Sequence, residues 1–194
     1  MKNVILFIKF SATLLLFFVT DVSAQNDSIA ANAWIHYMTP NEVHKTLNDY
    51  SGKWDMEITM WTGPGQKPEI MKISSVNQMT IGGRFLEMDQ LGDMMGMRYE
   101  AKTTLGFNTA NQKMELSTIN NMGTGTLYLS GLWDSKTETA NLSGSLVNPV
   151  DKKVIAVRQV INLSDPNMIL IQNYDKSGNE KERKSIQYLF TRKK

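Results

Sequence analysis

The chain has 194 residues, 21 Lys and Arg against 19 Asp and Glu, and no cysteine. A net charge of +2, with no Lys/Arg cluster interleaved with aromatics, excludes a nucleic-acid groove. Without cysteine there are no disulfides, no thiolate metal ligands and no attachment point for a lipid behind a leader peptide, so core burial has to hold the fold.

At the start, Lys2 precedes an apolar run, Val4 to Val19, and Val22-Ser23-Ala24 supplies small residues. This is the form of a signal peptide cleaved after Ala24, which implies a secreted or periplasmic protein. The run is short for a membrane span and is interrupted by Lys9, so no span is expected in the mature chain. Residues 25–38 read as a flexible lead that becomes a packed segment at Trp34, Ile35, Tyr37 and Met38. Thr39-Pro40-Asn41-Glu42 predicts a helix over 40–50, with Thr39 as N-cap, Pro40 at the first helical position and Glu42 closing a capping box. Val43, Leu47 and Tyr50 form its apolar stripe, and Ser51-Gly52 ends it.

From there the pattern alternates. Strands are predicted at 54–60, 70–79, 84–91, 98–107, 113–120, 126–133, 139–146, 154–163, 168–174 and 183–191, separated by turn residues such as Asn108-Thr109-Ala110-Asn111 and Lys176-Ser177-Gly178-Asn179. Ten strands in meander order would leave two long edges in an open sheet. Closure removes them, so the expected fold is an all-β, ten-stranded antiparallel up-and-down barrel with one short helix before it, forming a single domain over 39–194. The stretch Gly82 to Tyr99 stands out within it. Gly82-Gly83 opens a strand, and Met94, Met95 and Met97 cluster around Gly96, marking a loop of flexible apolar side chains near a pocket mouth.

Two resemblances sharpen this. Gly52-Lys53-Trp54 at the head of the first strand, with Arg192 just past the last, resembles the Gly-x-Trp signature of calycins. That resemblance implies a Trp closing one end of a barrel and an Arg packed across it. More of the chain, from about Glu42 on, resembles domain-of-unknown-function family 1579. The similarity is carried by Glu42-Val43-His44-Lys45, Gly52-Lys53-Trp54, Gly82-Gly83-Arg84-Phe85-Leu86, Gly92-Asp93-Met94-Met95-Gly96-Met97, Met122-Gly123-Thr124-Gly125, Val157-Arg158-Gln159-Val160 and Thr191-Arg192-Lys193. It implies a calycin-like fold and no particular activity. Gly52, Trp54, Gly82, Gly83 and Arg192 are accordingly expected to be structural.

The chemistry-bearing residues are sparse. With His36 and His44 as the only histidines, on either side of Pro40, neither a metal nor a haem is expected, and no cofactor is implied. There is no Gly-x-Ser-x-Gly nucleophile turn. Thioethers suit soft metals, but 13 methionines spread along the chain make Met a general apolar filler. On the eighth strand Ile155, Val157, Gln159 and Ile161 form the more apolar set, which places Arg158 outside. The expected function is binding of a small hydrophobic or amphipathic ligand, with Phe85, Met94, Met95, Met97 and Tyr99 near the mouth and Gln172, Tyr174 and Gln187 as polar anchors. The alternatives are an enzyme acting on a small envelope metabolite through Glu87, Glu100 or Asn120, and a solid-core interaction protein.

Overall fold

The computed structural model describes residues 21–194 except residue 64. The chain divides into two compact units, 1–39 and 40–194. The apolar run expected to belong to a signal peptide lies outside the described residues. Among those described, no helix is long and apolar enough to cross a membrane.

In the first unit, helix α1 spans Asp21–Met38. A lead segment was expected there, but nothing in the sequence stops a helix. Four alanines (Ala24, Ala30, Ala31 and Ala33) favour it, and neither Gly nor Pro occurs before Pro40. Trp34, Ile35, Tyr37 and Met38 are exposed, not packed, and the Trp34 and Tyr37 rings meet edge-on at 5.8 Å. The helix stops where a proline disfavours helical backbone in the residue before it.

The second unit opens with α2, Glu42–Asp49, capped by Asn41 and not by Thr39. The Thr39 hydroxyl instead donates to the Ile35 carbonyl at 2.6 Å, finishing α1. Asn41 Oδ1 accepts from the Val43 N–H at 3.1 Å, and His44 Nδ1 accepts from the Asn41 N–H at 3.0 Å. A histidine thus takes the place usually held by Glu or Gln in a capping box.

Ten strands follow: β1 (Gly52–Met60), β2 (Glu69–Thr80), β3 (Phe85–Met94), β4 (Met97–Asn108), β5 (Lys113–Asn120), β6 (Leu127–Asp134), β7 (Thr139–Val147), β8 (Val154–Asp165), β9 (Met168–Ser177) and β10 (Arg183–Arg192). Each pairs antiparallel with its neighbours in sequence, and β1 pairs with β10 from Trp54↔Arg192 to Met60↔Ile186, closing the barrel. Period-two alternation sends Trp54, Met56 and Ile58 inward on β1, matched by Phe190 and Tyr188 on β10. On β8 the inward set is Val157, Gln159, Ile161 and Leu163, so Arg158 lies outside as expected.

The register gives the barrel two unlike ends. The β2–β3 turn lies on the side of α2, with Ile81, Gly82 and Gly83 at φ 48°, 64° and 78°. The β3–β4 turn lies at the other end. It is a two-residue turn instead of a loop: Met94 pairs with Met97, and Met95 and Gly96 take φ 57° and 77°. Positive φ at both central residues is the type I′ geometry whose twist matches that of the strands.

Candidate functional site

The end covered by α2 is shut by a stack. Trp54, fully buried, donates its Nε1–H to the Tyr50 carbonyl at 3.1 Å and stacks on the Tyr50 ring at 6.2 Å. The Arg192 guanidinium lies over the Trp54 ring at 4.3 Å and donates to the carbonyls of Ser51, Asp49 and Pro166. Its planar fork thereby joins the end of α2, the head of β1 and the β8–β9 turn. Gly52, at φ 134°, holds a backbone conformation that side chains rarely adopt, and a Cβ there would make a tight 3.0 Å contact with Arg192 Nη1. The Tyr50 hydroxyl donates to the Leu163 carbonyl, and burial pushes the phenol up to about 12. Burial also lowers the His44 imidazole from its ordinary value, with the Arg84 charge adding to the effect and a hydrogen bond to the Phe107 backbone opposing it. Arg84 itself donates to the carbonyls of Ile81 and Gly82.

The interior changes character above this floor. Leu86, Leu105, Leu116, Leu129, Leu142 and Ile161 make an apolar belt. Two polar walls then face each other. On one side, Ser75 donates to Asn77 at 2.7 Å, Gln90 Nε2 donates to Thr103 at 3.3 Å, and the Thr103 and Thr118 hydroxyls meet at 3.0 Å. On the other, Gln159 Nε2 donates to Asn173 Oδ1 at 2.8 Å, with Ser185 and Asp175 above.

These walls are incompletely paired. Gln159 Oε1 and, deeper, Asn77 Nδ2 are buried with no hydrogen-bond partner. Tyr99 and Tyr188 reach into the same space from β4 and β10. Each phenol is held above its usual value by burial, and Tyr188 also by the nearby Tyr99 and Asp175; neither takes a hydrogen bond from the described residues. Tyr188 is partly buried and packs against the core residues. Burial likewise raises the Asp175 carboxyl above the ordinary carboxylate range, opposed by the Ser185 hydroxyl and the Arg183 charge.

The residues expected at the site divide three ways. Met94 and Tyr99 are buried and point inward at the open end, with Met97 following them on the inward set at the rim, half exposed. Met95, 64 % exposed, occupies the tip of the turn. Phe85 lies at the closed end and faces outward, because Leu86 takes the inward position; its ring covers Gly106, where a Cβ would come within 2.5 Å. Gln172, Tyr174 and Gln187 also face outward, since Ile171, Asn173 and Tyr188 hold the inward positions. There Gln172 donates to Gln187 at 3.4 Å, Lys184 donates to Gln187 at 2.6 Å, and the Arg158 guanidinium covers the Tyr174 ring at 4.1 Å while pairing with Glu182.

The groups considered for catalysis do not converge. Glu87 pairs with Lys102, and Glu100 with Arg98, both on the outer wall. Asn120 faces the other way and accepts from the Met122 N–H at 2.9 Å, so no acid–base pair shares a concave site. Among the described residues no cluster of His, Asp and Glu has the spacing to hold a metal ion. What strand parity does identify, and polarity alone did not, is the inward polar set Gln90, Thr103, Gln159 and Asn173.

The profile of the family described as "Protein of unknown function (DUF1579)" matches residues 39–192. The chain belongs to this family. The match begins just ahead of α2 and ends at Arg192, so it takes in the whole barrel and both halves of the closed-end stack. No curated protein matches the chain. Among solved structures it is similar to Rv2717c from M. tuberculosis, with a TM-score of 0.59 and 15% identity over 80% of this chain and all of that one. At that identity the likeness speaks for the barrel alone.

Proposed function

We propose that this DUF1579 protein is a binding module that holds a small amphipathic ligand inside its barrel, entering at the β3–β4 end. The observation that carries this is the set of polar groups turned into the barrel without protein partners, led by Gln159 Oε1. A buried acceptor without a donor costs roughly 1–3 kcal/mol, and a ligand that supplies the donor recovers it. The apolar belt below would take the ligand's hydrophobic part. The leader-like N-terminus supports action outside the cytoplasm, in the periplasm or after secretion, with the mature chain starting near Gln25.

Titration with the neutral solvatochromic dye Nile red, followed by native mass spectrometry, tests the binding. Saturable one-to-one uptake that is weakened about tenfold by Gln159→Leu is expected, as loss of one such hydrogen bond predicts. A dye that stays in water at all protein concentrations, with no adduct by mass, would discard the proposal. Recovery of the protein from the envelope fraction with an intact N-terminus would discard its secreted part.

A further inference from the structure

The charges around the barrel's inner space restrict what it can hold. Following the register from strand to strand, the inward positions between the closed-end stack and the rim are apolar or uncharged polar, with Asp175 the exception; no Lys or Arg is among the described residues at those positions, Arg192 lying below them against Trp54. Asp175 stands opposite Val157 on β8, whose side chain is buried in the core, and opposite Arg183 on β10. Arg183 is exposed at the rim and forms no ion pair with it among the described residues. Of the other charged side chains on β8–β10, Arg158 faces outward and pairs with Glu182, Lys184 donates to Gln187, and Arg192 lies over the Trp54 ring at the closed end.

A carboxylate drawn below the rim would leave water and pass beyond Arg183, which stays exposed at the rim, and would approach an acid already held there. A buried charge without a partner is strongly disfavoured. The unpaired groups ask for something else. Gln159 Oε1 needs a donor, Asn77 Nδ2 needs an acceptor, and the Tyr99 and Tyr188 hydroxyls can serve as either. We infer that the barrel selects an uncharged amphiphile carrying both a hydrogen-bond donor and an acceptor, a long-chain alcohol or amide, and rejects the corresponding carboxylate. This rests on the reading of the barrel interior as a ligand site and goes beyond it by fixing the head group.

Displacement of Nile red by decanol, decanamide, decanoate and decylammonium at pH 7.5 tests the inference, since the four differ only at one end. Decanol and decanamide are expected to displace the dye at least about 100-fold more tightly than decanoate, the penalty of an unpaired buried charge. Asp175→Asn removes the fixed acid and is expected to narrow the decanol–decanoate gap about tenfold. Equal or tighter binding of decanoate overturns the inference while leaving the binding function in place, and so does decylammonium as the tightest of the four. An Asp175→Asn gap equal to the wild-type gap overturns the part assigned to Asp175. Failure of the dye to bind at all removes the binding function, and this inference with it.

Discussion

The two ends of the barrel are cut from the same ten strands, yet they settle their polar groups in opposite ways. At the closed end Arg192 serves three backbone carbonyls, Trp54 and Tyr50 each donate to another, and Asn41 and His44 cap α2 reciprocally; Ser51 Oγ and, opposite Gly52, Asn77 Nδ2 are the polar side-chain atoms left over. Toward the open end, Gln159 Oε1 is buried with no partner, the Tyr99 and Tyr188 hydroxyls take no hydrogen bond from the described residues, and the rim carries exposed methionine instead of polar turn residues. A dense network of paired groups fixes one conformation and leaves little for a ligand to do. Incomplete pairing costs stability and leaves groups that a ligand can satisfy. On this division, substitutions at the closed end should act on stability and substitutions inside the open half on binding.

The largest effect should come from Trp54→Ala. It removes a fully buried ring together with the stack on Tyr50 and the seat of Arg192, and should cost about 3–5 kcal/mol in urea denaturation. A cost below about 1 kcal/mol would show that the closed end is not where stability is concentrated. Arg192→Lys should follow at about 1–2 kcal/mol, because an ammonium keeps the charge but cannot reach three separate carbonyls from one plane.

Next come two effects of pH with opposite signs. Folded His44 is lowered below its ordinary value of 6.5, so the unfolded chain binds the more protons near that pH. Its contribution is complete above about 6.5 and is lost as pH falls below it. His44→Gln, which retains an acceptor for the Asn41 N–H, should flatten the melting temperature between pH 7 and 5. Folded Asp175 is raised above the ordinary carboxylate value of 3.8. Here the folded state binds the more protons, so stability declines as pH rises through the carboxylate range. Asp175→Asn should therefore raise the melting temperature at pH 7, with the gain fading as the medium approaches pH 3.8. A destabilising Asp175→Asn would mean that the carboxylate is a paired structural group and not a desolvated one.

Much of this contrast was written in the sequence, and the part that was not has physical reasons. Alternation is a strong signal, so all ten strands were legible, β5 at both of its ends; β8 and β9 run two to three residues further because backbone pairing continues after alternation stops. The closed end was legible because Gly52, Trp54 and Arg192 sit at positions where only particular residue types fit. The cap of α2 was misplaced because Thr39 and Asn41 both satisfy the start pattern and His44 is an unusual closing partner. The interior site was harder. Polarity within a strand attracted attention to Gln172, Tyr174 and Gln187, whereas parity places Asn173 inside and its neighbours outside. Ser185 could not be read at all, since a register shift between Lys184 and Ile186 breaks the parity that would have located it.

The smallest predicted effect bears most closely on the open end. Met95 holds φ 57° at the first central position of a type I′ turn, where Asn and Gly are the favoured residues and a long side chain gains nothing from the backbone. It is also 64 % exposed, so packing does not repay the conformation. Met95→Asn should then stabilise the protein by a few tenths of a kcal/mol, about 0.5 at most, which the midpoint of urea denaturation can resolve. If the residue only fills a turn, dye uptake should be untouched by that change. If the methionine tip forms part of the mouth, the more stable variant should take up Nile red more slowly while its affinity stays close to that of the wild type, because the polar groups that hold the ligand lie further in. A variant that is more stable and loads at the wild-type rate would detach the methionine turn from binding and leave the tyrosine, glutamine and asparagine side chains as the whole of the site.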